Sequence, residues 1–412
     1  MPTSRFRNTF RSLRTYNYRI WCMGALVSNV GTWMQRIAQD WLVMSQLTNH
    51  SGAAVGVVMA LQFGPPIVLM SVAGRLADQY DRRKLLIITQ SALGLTALAL
   101  GLLVLSGHVA LWHVYAFAGI MGCITAFDSP ARQTFLAELV GDDDLPNAVA
   151  LNSSLFNSAQ LIGPAIGGVL ISLIGVGWVF VLNAASFIGV IASLTQMRTS
   201  ELRQKSSKLN SSGGFFAGLS YIRTKPELIM ALLMLFILGT YGLNFPVFIS
   251  TMSITTFHGG AHLYGMLSSM MAIGSVMGAL HVAGKSAPSL SFLTLSAFGF
   301  GVVAALAAVM PNAMLFGAFL VALGLTTQMF TTTANSFVQL STDPAMRGRV
   351  MAIYMGIFLG CTPLGAPLVG WVADAFGPRW ALGVGAAAGF ITAAIGALYK
   401  YKMRQAKERL AD

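Results

Sequence analysis

Two opposite charges lie inside the first long apolar stretch of the chain. Arg36 and Asp40 are four positions apart, and this spacing puts both side chains on one face of a helix. Asn29 and Trp33 continue the same stripe at helical steps. Because charge is costly within a membrane helix, such residues normally face a protein interior or a water-filled cavity. Asp40 is therefore predicted to take up a proton, with Arg36 as its partner or as a contact for an anionic substrate; a static ion pair near the outer interface is the alternative.

Polar side chains in the other apolar stretches are candidates for the wall of such a cavity. Some of them are expected to line it, although an amide inside an apolar helix more often bonds to a neighbouring helix. Asn244 and Phe245 stand next to Pro246, a combination that predicts a broken helix. The cavity candidates besides Asn29 and Trp33 are Gln62, Asn157, Asn244, Phe245 and Gln328.

A short charged segment, Gly74–Lys84, separates the second and third apolar stretches. Gly74 is expected to let two helices approach closely, because glycine has no side chain. Asp78 is expected to face the N-terminus of a neighbouring helix, where a negative charge is stabilised. Arg82 and Arg83 are expected to stay on the cytoplasmic side.

A second charged pair ends the fourth apolar stretch. Asp128 and Arg132 are four positions apart and face the same side as the Gly74–Lys84 segment. Acidic and basic residues therefore recur at neighbouring helix ends, which predicts an inner gate between moving helices; a generic solvated helix end is the alternative. The predicted gating residues are Gly74, Asp78, Arg82, Arg83, Asp128 and Arg132.

The composition excludes a soluble domain of this length. The chain has 412 residues, of which 55% are hydrophobic and only 10% charged, and its mean hydropathy is +0.68. Each of its apolar stretches reaches the roughly 20 residues that cross about 30 Å of hydrocarbon. We therefore expect an all-α membrane protein with twelve transmembrane helices. The stretches are 17–46, 52–77, 85–106, 110–134, 146–174, 177–197, 226–256, 262–284, 290–310, 313–341, 350–375 and 379–399.

The lysines and arginines predict the orientation in the membrane. With both termini cytoplasmic, 24 of the 26 fall on the inner side and only Arg36 and Arg379 do not. The net charge of +12 then reflects this bias and an attraction to the anionic lipid bilayer. We expect a multi-pass protein of the cell (inner) membrane and no nucleic-acid partner, because no extramembrane basic domain is present.

A polar segment divides the chain into two halves. Residues 1–197 and 226–412 are each predicted to form a six-helix bundle, joined by a cytoplasmic linker at 198–225. At an offset of 202 residues the halves share glycines and a tryptophan, which indicates a parallel repeat of two pseudo-symmetric bundles. Transporters built in this way rock about a substrate site near the bilayer midplane. The matched pairs are Gly163 with Gly365, Gly168 with Gly370, Gly175 with Gly377, and Trp178 with Trp380.

Several segments carry motifs of a known family. The loop after the second stretch has Gly74, Asp78, Arg82 and Arg83 at signature positions, with Asp81 where glycine is usual. The fifth stretch has Gly163, Pro164, Gly167 and Gly168, part of an antiporter motif. The chain resembles the major facilitator superfamily over nearly its whole length. Gly31–Val43 and Phe127–Phe135 are similar to its enterobactin-exporter-like and multidrug-efflux branch.

The resemblance implies a secondary active exporter. Such a protein moves small amphipathic molecules, for example a drug, a siderophore or a metabolite, by alternating access and usually by proton antiport. The resemblance also implies that Asp128 pairs with Arg82 and that Asp78 caps the N-terminal end of the eleventh helix near Arg349. The glycine and proline motif of the fifth span is either a pliable contact between helices or ordinary tight packing.

Export has two alternatives, an uptake carrier and a membrane-embedded enzyme. A proton-coupled or facilitative uptake carrier for a nutrient or a metal fits the same fold, and helices alone do not reveal transport direction. A membrane-embedded enzyme would need a nucleophile and base set, yet the sequence has no His-Glu-x-x-His or Gly-x-Ser-x-Gly motif. We expect no cofactor and no metal site, a small-molecule substrate with protons as partners, and an architecture that can work as a monomer.

Overall fold

The computed structural model describes residues 11–141, 144–202, 215–283 and 289–409. For residues 71, 77, 78, 215, 216, 283 and 406–409 it describes the backbone only. These ranges contain helices and no strand. Six long helices precede residue 203: α1 Tyr16–Leu42, α2 Gly52–Gln79, α3 Arg82–Leu105, α4 Leu111–Val140, α5 Leu145–Ile174 and α6 Val176–Thr195.

Six more helical spans follow a short helix, Phe215–Arg223. They are α7, in two pieces, Pro226–Gly242 and Phe245–Thr251, then α8 Ala261–Ala283, α9 Leu290–Ala308, α10 Ala313–Leu340, α11 Arg347–Phe376 and α12 Pro378–Arg409. The π-helical segments Val43–Leu47 and Met252–Thr256 continue α1 and α7. The break in α7 falls at Leu243 and Asn244, directly before Pro246, as the sequence predicts.

The helices have the length and composition of membrane spans. In the part of the chain that the structure describes, eleven are long and apolar enough to cross a bilayer. The remaining long helix, α1, has 27 residues and so extends about 40 Å. Its hydropathy is lower because it carries Asn29, Gln35, Arg36, Gln39 and Asp40. The all-α, multi-pass membrane fold expected from composition is confirmed.

The chain forms two compact units. The first comprises the described residues of Met1–Leu47, Gly64–Leu209 and Gly260–Ser269. Within it, α1 packs against α5 and α6, and α3 packs against α6. Trp21 and Phe135 make an edge-to-face contact with ring centroids 5.7 Å apart, and the Tyr18 hydroxyl donates to the carbonyl of Ala148 at 2.8 Å. Aromatic packing therefore fixes one end of α1 in this unit.

The second unit comprises the described residues of Thr48–Phe63, Asn210–Gly259 and Met270–Asp412. Here α7 packs against α11 and α12, and α9 packs against α10 and α12. A Cβ atom at Gly389 would lie 2.7 Å from the Cα of Gly301, so α9 and α12 touch backbone to backbone. Small residues allow such contacts between membrane helices.

The repeat at an offset of 202 residues recurs in the helix bounds. Both α5 and α11 have 30 residues, and the bounds 347–376 lie 202 positions after 145–174. Each helix is followed by a glycine in the left-handed region, Gly175 with φ 87° and Gly377 with φ 98°. Glycine adopts this conformation without steric cost, so each helix stops there and the next begins one residue later.

The paired glycines also make equivalent contacts. A side chain at Gly163 would overlap Trp33 of α1, and one at Gly365 would overlap the carbonyl of Thr240 in α7. A side chain at Gly168 would overlap the start of α8, and one at Gly370 the start of α2. Thus α5 contacts α1 and α8 in the way that α11 contacts α7 and α2.

Candidate functional site

The Asp40 carboxylate lies buried near the end of α1, with 7% of the residue exposed. It accepts a hydrogen bond of 2.7 Å from the hydroxyl of Tyr264, which lies in the first turns of α8 and is 1% exposed. Asp40 also interacts electrostatically with Arg36, one helical turn earlier on α1. A buried carboxylate thus receives a charge-assisted hydrogen bond from α8 and a positive neighbour from its own helix.

Arg36 lies on an aromatic platform. Its guanidinium carbon is 4.6 Å from the centroid of the Trp33 ring, within the range of a cation–π contact. Trp33 in turn meets Phe156 of α5 edge to face, with centroids 5.8 Å apart. The structure therefore brings Arg36, Asp40 and Trp33 together as the stripe predicts, and Asn29 lies half-buried on the same helix.

Gln35 joins α1 to two neighbouring helices. The Asn183 amide of α6 donates to the Gln35 carbonyl oxygen at 2.5 Å, and both side chains are buried. Gln35 donates in turn to the sulfur of Met121 in α4 at 3.2 Å. These contacts hold the face of α1 that carries Gln35 against α4 and α6.

The α5 motif packs tightly against the helix that carries the charged pair. A Cβ atom at Gly163 would lie 2.5 Å from that of Trp33, and one at Gly167 would lie 3.1 Å from the Cα of Met34. Gly168 approaches Ala261 of α8 in the same way. The Ser269 hydroxyl of α8 also donates to the carbonyl of Leu161 in α5 at 2.8 Å. Gly163, Pro164, Gly167 and Gly168 therefore let α5 support both α1 and the α8 segment that bears Tyr264.

The remaining cavity candidates make contacts of their own. Asn244 is fully buried and donates to the carbonyl of Thr240 at 2.7 Å, while its side-chain oxygen has no partner among the described residues. Phe245 packs edge to face against Phe248 and Phe300.

The other three candidates lie on separate helices. Gln328 of α10 donates to Thr332 of its own helix at 3.0 Å. Gln62 and Asn157 are half-buried on α2 and α5.

The charged segment after α2 is held to its own unit. The Arg82 guanidinium forms an ion pair with Glu138 of α4, and both side chains are 15% exposed. Arg83 donates to the carbonyls of Leu194 and Thr195 at 2.6 and 3.1 Å, where a cation stabilises the end of α6. Asp81, which stands where the family has glycine, caps α3 by accepting from the amide of Lys84 at 3.1 Å.

The structure leaves open the roles expected of Gly74 and Asp78. Among the described residues, a Cβ atom at Gly74 would meet nothing within 4 Å, and the close helix approach expected there stays a prediction. The backbone of Asp78 belongs to α2, and its side chain lies outside the described part of the structure. The role of Asp78 therefore stays a prediction.

The expected pair of Asp128 with Arg82 does not form. In the described residues the Asp128 carboxylate pairs with Arg132 at 3.1 Å and accepts from Thr89 and Gln90 of α3 at 2.7 and 2.6 Å. Arg132 also lies 5.5 Å from the centroid of the Trp21 ring. Asp128 is 5% exposed, so these contacts compensate its burial, and Arg82 pairs with another acid of α4, Glu138.

Glu138 and Tyr264 are not among the residues predicted from the sequence. Glu138 lies ten positions after Asp128 on α4, about 80° round the helix axis from it, so helical spacing does not single it out. Tyr264 has no local signal either, since 224 residues separate it from Asp40. Among the described residues, no group of three or more His, Cys, Asp or Glu side chains is placed to hold a metal ion.

A sequence model of the family described as "Transmembrane secretion effector" matches residues 7–411. The chain belongs to this family of the major facilitator superfamily. The family and fold are those of transporters, which are not enzymes.

The transporter matches several curated relatives over most of both chains. It is 28% identical to the staphyloferrin A transporter of Staphylococcus aureus over 84% of this chain and 87% of the relative. It is 26% identical to the enterobactin exporter EntS of Shigella flexneri over 80% and 78%. It is 25% identical to the multidrug efflux pump Tap of Mycolicibacterium fortuitum over 86% and 88%.

Solved structures share its fold at low sequence identity. A bacterial homologue of the human lysosomal transporter Spinster superposes with a TM-score of 0.76 at 14% identity, covering 93% of this chain and 96% of the homologue. The nucleoside transporter NupG superposes with a TM-score of 0.69 at 14% identity, covering 93% and 99%. These likenesses concern the fold.

The Arg82–Glu138 pair generates a stability prediction. Glu138→Gln breaks the ion pair between two largely buried side chains, so the free energy of unfolding should fall by about 3 kcal/mol. The matched control is Glu201→Gln, which breaks the exposed pair of Arg198 with Glu201 and should cost about 0.5 kcal/mol or less. Denaturant unfolding of the purified transporter in detergent measures both. Equal stability of the two variants would show that the Arg82–Glu138 pair contributes nothing beyond a surface contact.

Proposed function

We propose that the transporter is a secondary active exporter of small amphipathic molecules, driven by proton antiport at Asp40. The observation that carries the proposal is the Tyr264–Asp40 hydrogen bond beside Arg36. A carboxylate at this depth is rare unless it has a function, because its desolvation is costly. Its contacts join α1, from the first six helices, to α8, from the second six.

Proton binding at Asp40 would change those contacts. A neutral carboxyl group accepts a weaker hydrogen bond from Tyr264 than a carboxylate does, and it no longer attracts Arg36. Hydrogen bonds to charged groups contribute about 1.5–3 kcal/mol, so losing this one shifts a two-state equilibrium roughly tenfold or more. The proton would thereby loosen α1 from α8 and weaken the attraction between Asp40 and Arg36.

The substrate class is inferred from the relatives and from the Arg36 site. Two relatives are named for the siderophores staphyloferrin A and enterobactin, and a third is named as a multidrug efflux pump. A guanidinium stacked on Trp33, with Phe156 behind it, offers a positive charge and aromatic faces to an amphipathic anion. We infer a siderophore or a drug-like metabolite as the cargo, and export as the direction.

The proposal also assigns roles to the two helical bundles, the linker and the inner gate. The bundles 1–197 and 226–412, joined by the linker 198–225, would tip to expose the cargo by turns to each side of the membrane. Linker residues 203–214 lie outside the described part of the chain. The inner gate would use the Gly74–Lys84 segment with Asp128 and Arg132. Both termini would be cytoplasmic, in the inner membrane, and one copy would suffice.

Asp40→Asn is expected to remove proton-driven transport. The amide keeps the shape of the side chain but cannot ionise, so accumulation driven by a proton gradient should fall at least roughly tenfold. The assay uses inverted membrane vesicles with enterobactin or ethidium as probes, with and without a protonophore. Asp343→Asn, at an exposed carboxylate between α10 and α11, is the matched control and should behave as wild type.

Gradient-driven accumulation that survives in Asp40→Asn would remove the coupling role of Asp40. Import into intact cells, in place of export, would instead identify the uptake carrier. Equal amounts of each variant in the membrane make these comparisons valid.

Tyr264→Phe is expected to lower the proton-driven rate about tenfold, because the charge-assisted hydrogen bond to Asp40 is lost while the ring remains. Tyr354→Phe is the matched control, since the Tyr354 hydroxyl donates to the carbonyl of Thr331, an uncharged acceptor, at 3.3 Å. The same vesicle assay compares the two. If both variants transport like the wild type, the α1–α8 hydrogen bond plays no part in coupling.

A further inference from the structure

A carboxylate of α11 caps the N-terminus of α2. Asp374 accepts hydrogen bonds from the amides of Gly52 and Ala53 at 2.5 and 3.1 Å and from the hydroxyl of Ser51 at 2.7 Å. The Ser51 hydroxyl in turn accepts from the amide of Ala54 at 3.2 Å. All of these residues belong to the second unit. One side chain near the end of α11 thus satisfies the first turn of a helix that lies more than 300 positions away in the sequence.

Below the cap, α2 and α11 touch backbone to backbone. A Cβ atom at Gly370 would overlap the carbonyl of Gly52, and one at Gly56 would overlap that of Ala366. The contact runs for about one helical turn, with glycine on both helices. The close approach depends on the glycines, because a side chain at either position would overlap the backbone of the other helix.

The cap has no counterpart in the repeat. The position 202 residues before Asp374 is Ser172 of α5, and its hydroxyl donates to the carbonyl of Gly168 in its own helix at 3.0 Å. The underlying contact is repeated, since Gly168 meets the start of α8 as Gly370 meets the start of α2. Packing at this helix pair therefore does not require a carboxylate, and the acid at position 374 calls for another explanation.

We propose that Asp374 is a gating residue: it latches the start of α2 to the end of α11 and must release for the transporter to open on that side. The inference rests on the proposed alternating-access function. In the predicted orientation the latch lies at the outer ends of both helices, opposite the charged Gly74–Lys84 segment at the other end of α2. It adds a control point where the sequence indicates none.

The geometry suits a contact that breaks and re-forms. Asp374 is exposed and borders a pocket of about 400 Å³ lined by Asn49, His50, Thr251 and Thr255. Water can therefore reach the carboxylate and replace the amides when the latch opens, so release does not leave a buried charge. A cap of this kind favours the closed arrangement without locking it.

The test measures the separation of α2 and α11 directly. Spin labels at Val57→Cys and Leu368→Cys, placed in a background in which Cys22, Cys123 and Cys361 are serine, report the distance by double electron–electron resonance. Both positions lie beyond the capped turn, so fraying of that turn alone does not move them. Asp374→Ser, which copies Ser172, should lower the ratio of short to long distances about fivefold. Gly370→Ala, which forces the backbones apart and keeps the carboxylate, should shift the ratio in the same direction.

Glu201→Gln is the control for loss of a negative charge, and its distance distribution should match that of the labelled parent. Loss of the cap should lower the apparent melting temperature of Asp374→Ser by only a few degrees, whereas a larger fall would identify a structural role and count against the latch. An unchanged distribution in Asp374→Ser, or an equal shift in Glu201→Gln, overturns the proposal. No substrate or proton gradient is used, so the latch can stand if Asp40 proves uncoupled and can fail if Asp40 is confirmed.

Discussion

A carboxylate inside an apolar helix bundle is strongly destabilising unless it is paired and hydrogen-bonded, and the first unit is arranged around two of them. Asp128 meets this cost with Arg132, Thr89 and Gln90, contacts that join α4 to α3. Asp40 meets it with Arg36 and a hydroxyl from α8. The two acids therefore differ in their partners. Asp128 has three side-chain partners on α3 and α4, whereas the hydrogen bond to Asp40 comes from α8, a helix of the second six.

Close contacts at glycines position the helices that carry these acids and their partners. Because α5 presents Gly163 and Gly167 to α1, the Trp33 and Met34 backbone lies directly against it, and Gly168 brings in the start of α8. Tyr264 follows within the first turn of that contact. The same arrangement recurs with α11 between α7 and α2, where the carboxylate of Asp374 is added. The repeat therefore supplies a common packing scheme, and the two halves differ in the polar groups that are attached to it.

The helical spans and other local features of the chain can be predicted from its sequence. Hydropathy and length predict the spans, with bounds close to those observed, and a spacing of four predicts that Arg36 and Asp40 share a face. Pro246 next to Asn244 predicts the break in α7. Contacts between side chains far apart in the sequence cannot be predicted in this way. Tyr264 is one of ten tyrosines, and nothing in its neighbourhood singles it out for Asp40. The resemblance predicts a pair of Arg82 with Asp128, whereas in the described residues Asp128 pairs with Arg132 and Arg82 pairs with Glu138.

Proton antiport at Asp40 requires that its carboxylate bind a proton reversibly. Infrared difference spectroscopy between acidic and neutral pH tests this directly on the purified transporter. The wild type should show the carbonyl band of a protonated carboxylic acid that is missing in Asp40→Asn and shifted in Tyr264→Phe, where the hydroxyl bond is gone. A wild-type spectrum identical to that of Asp40→Asn would contradict the account, because Asp40 would then keep one protonation state over the range in which the transporter works.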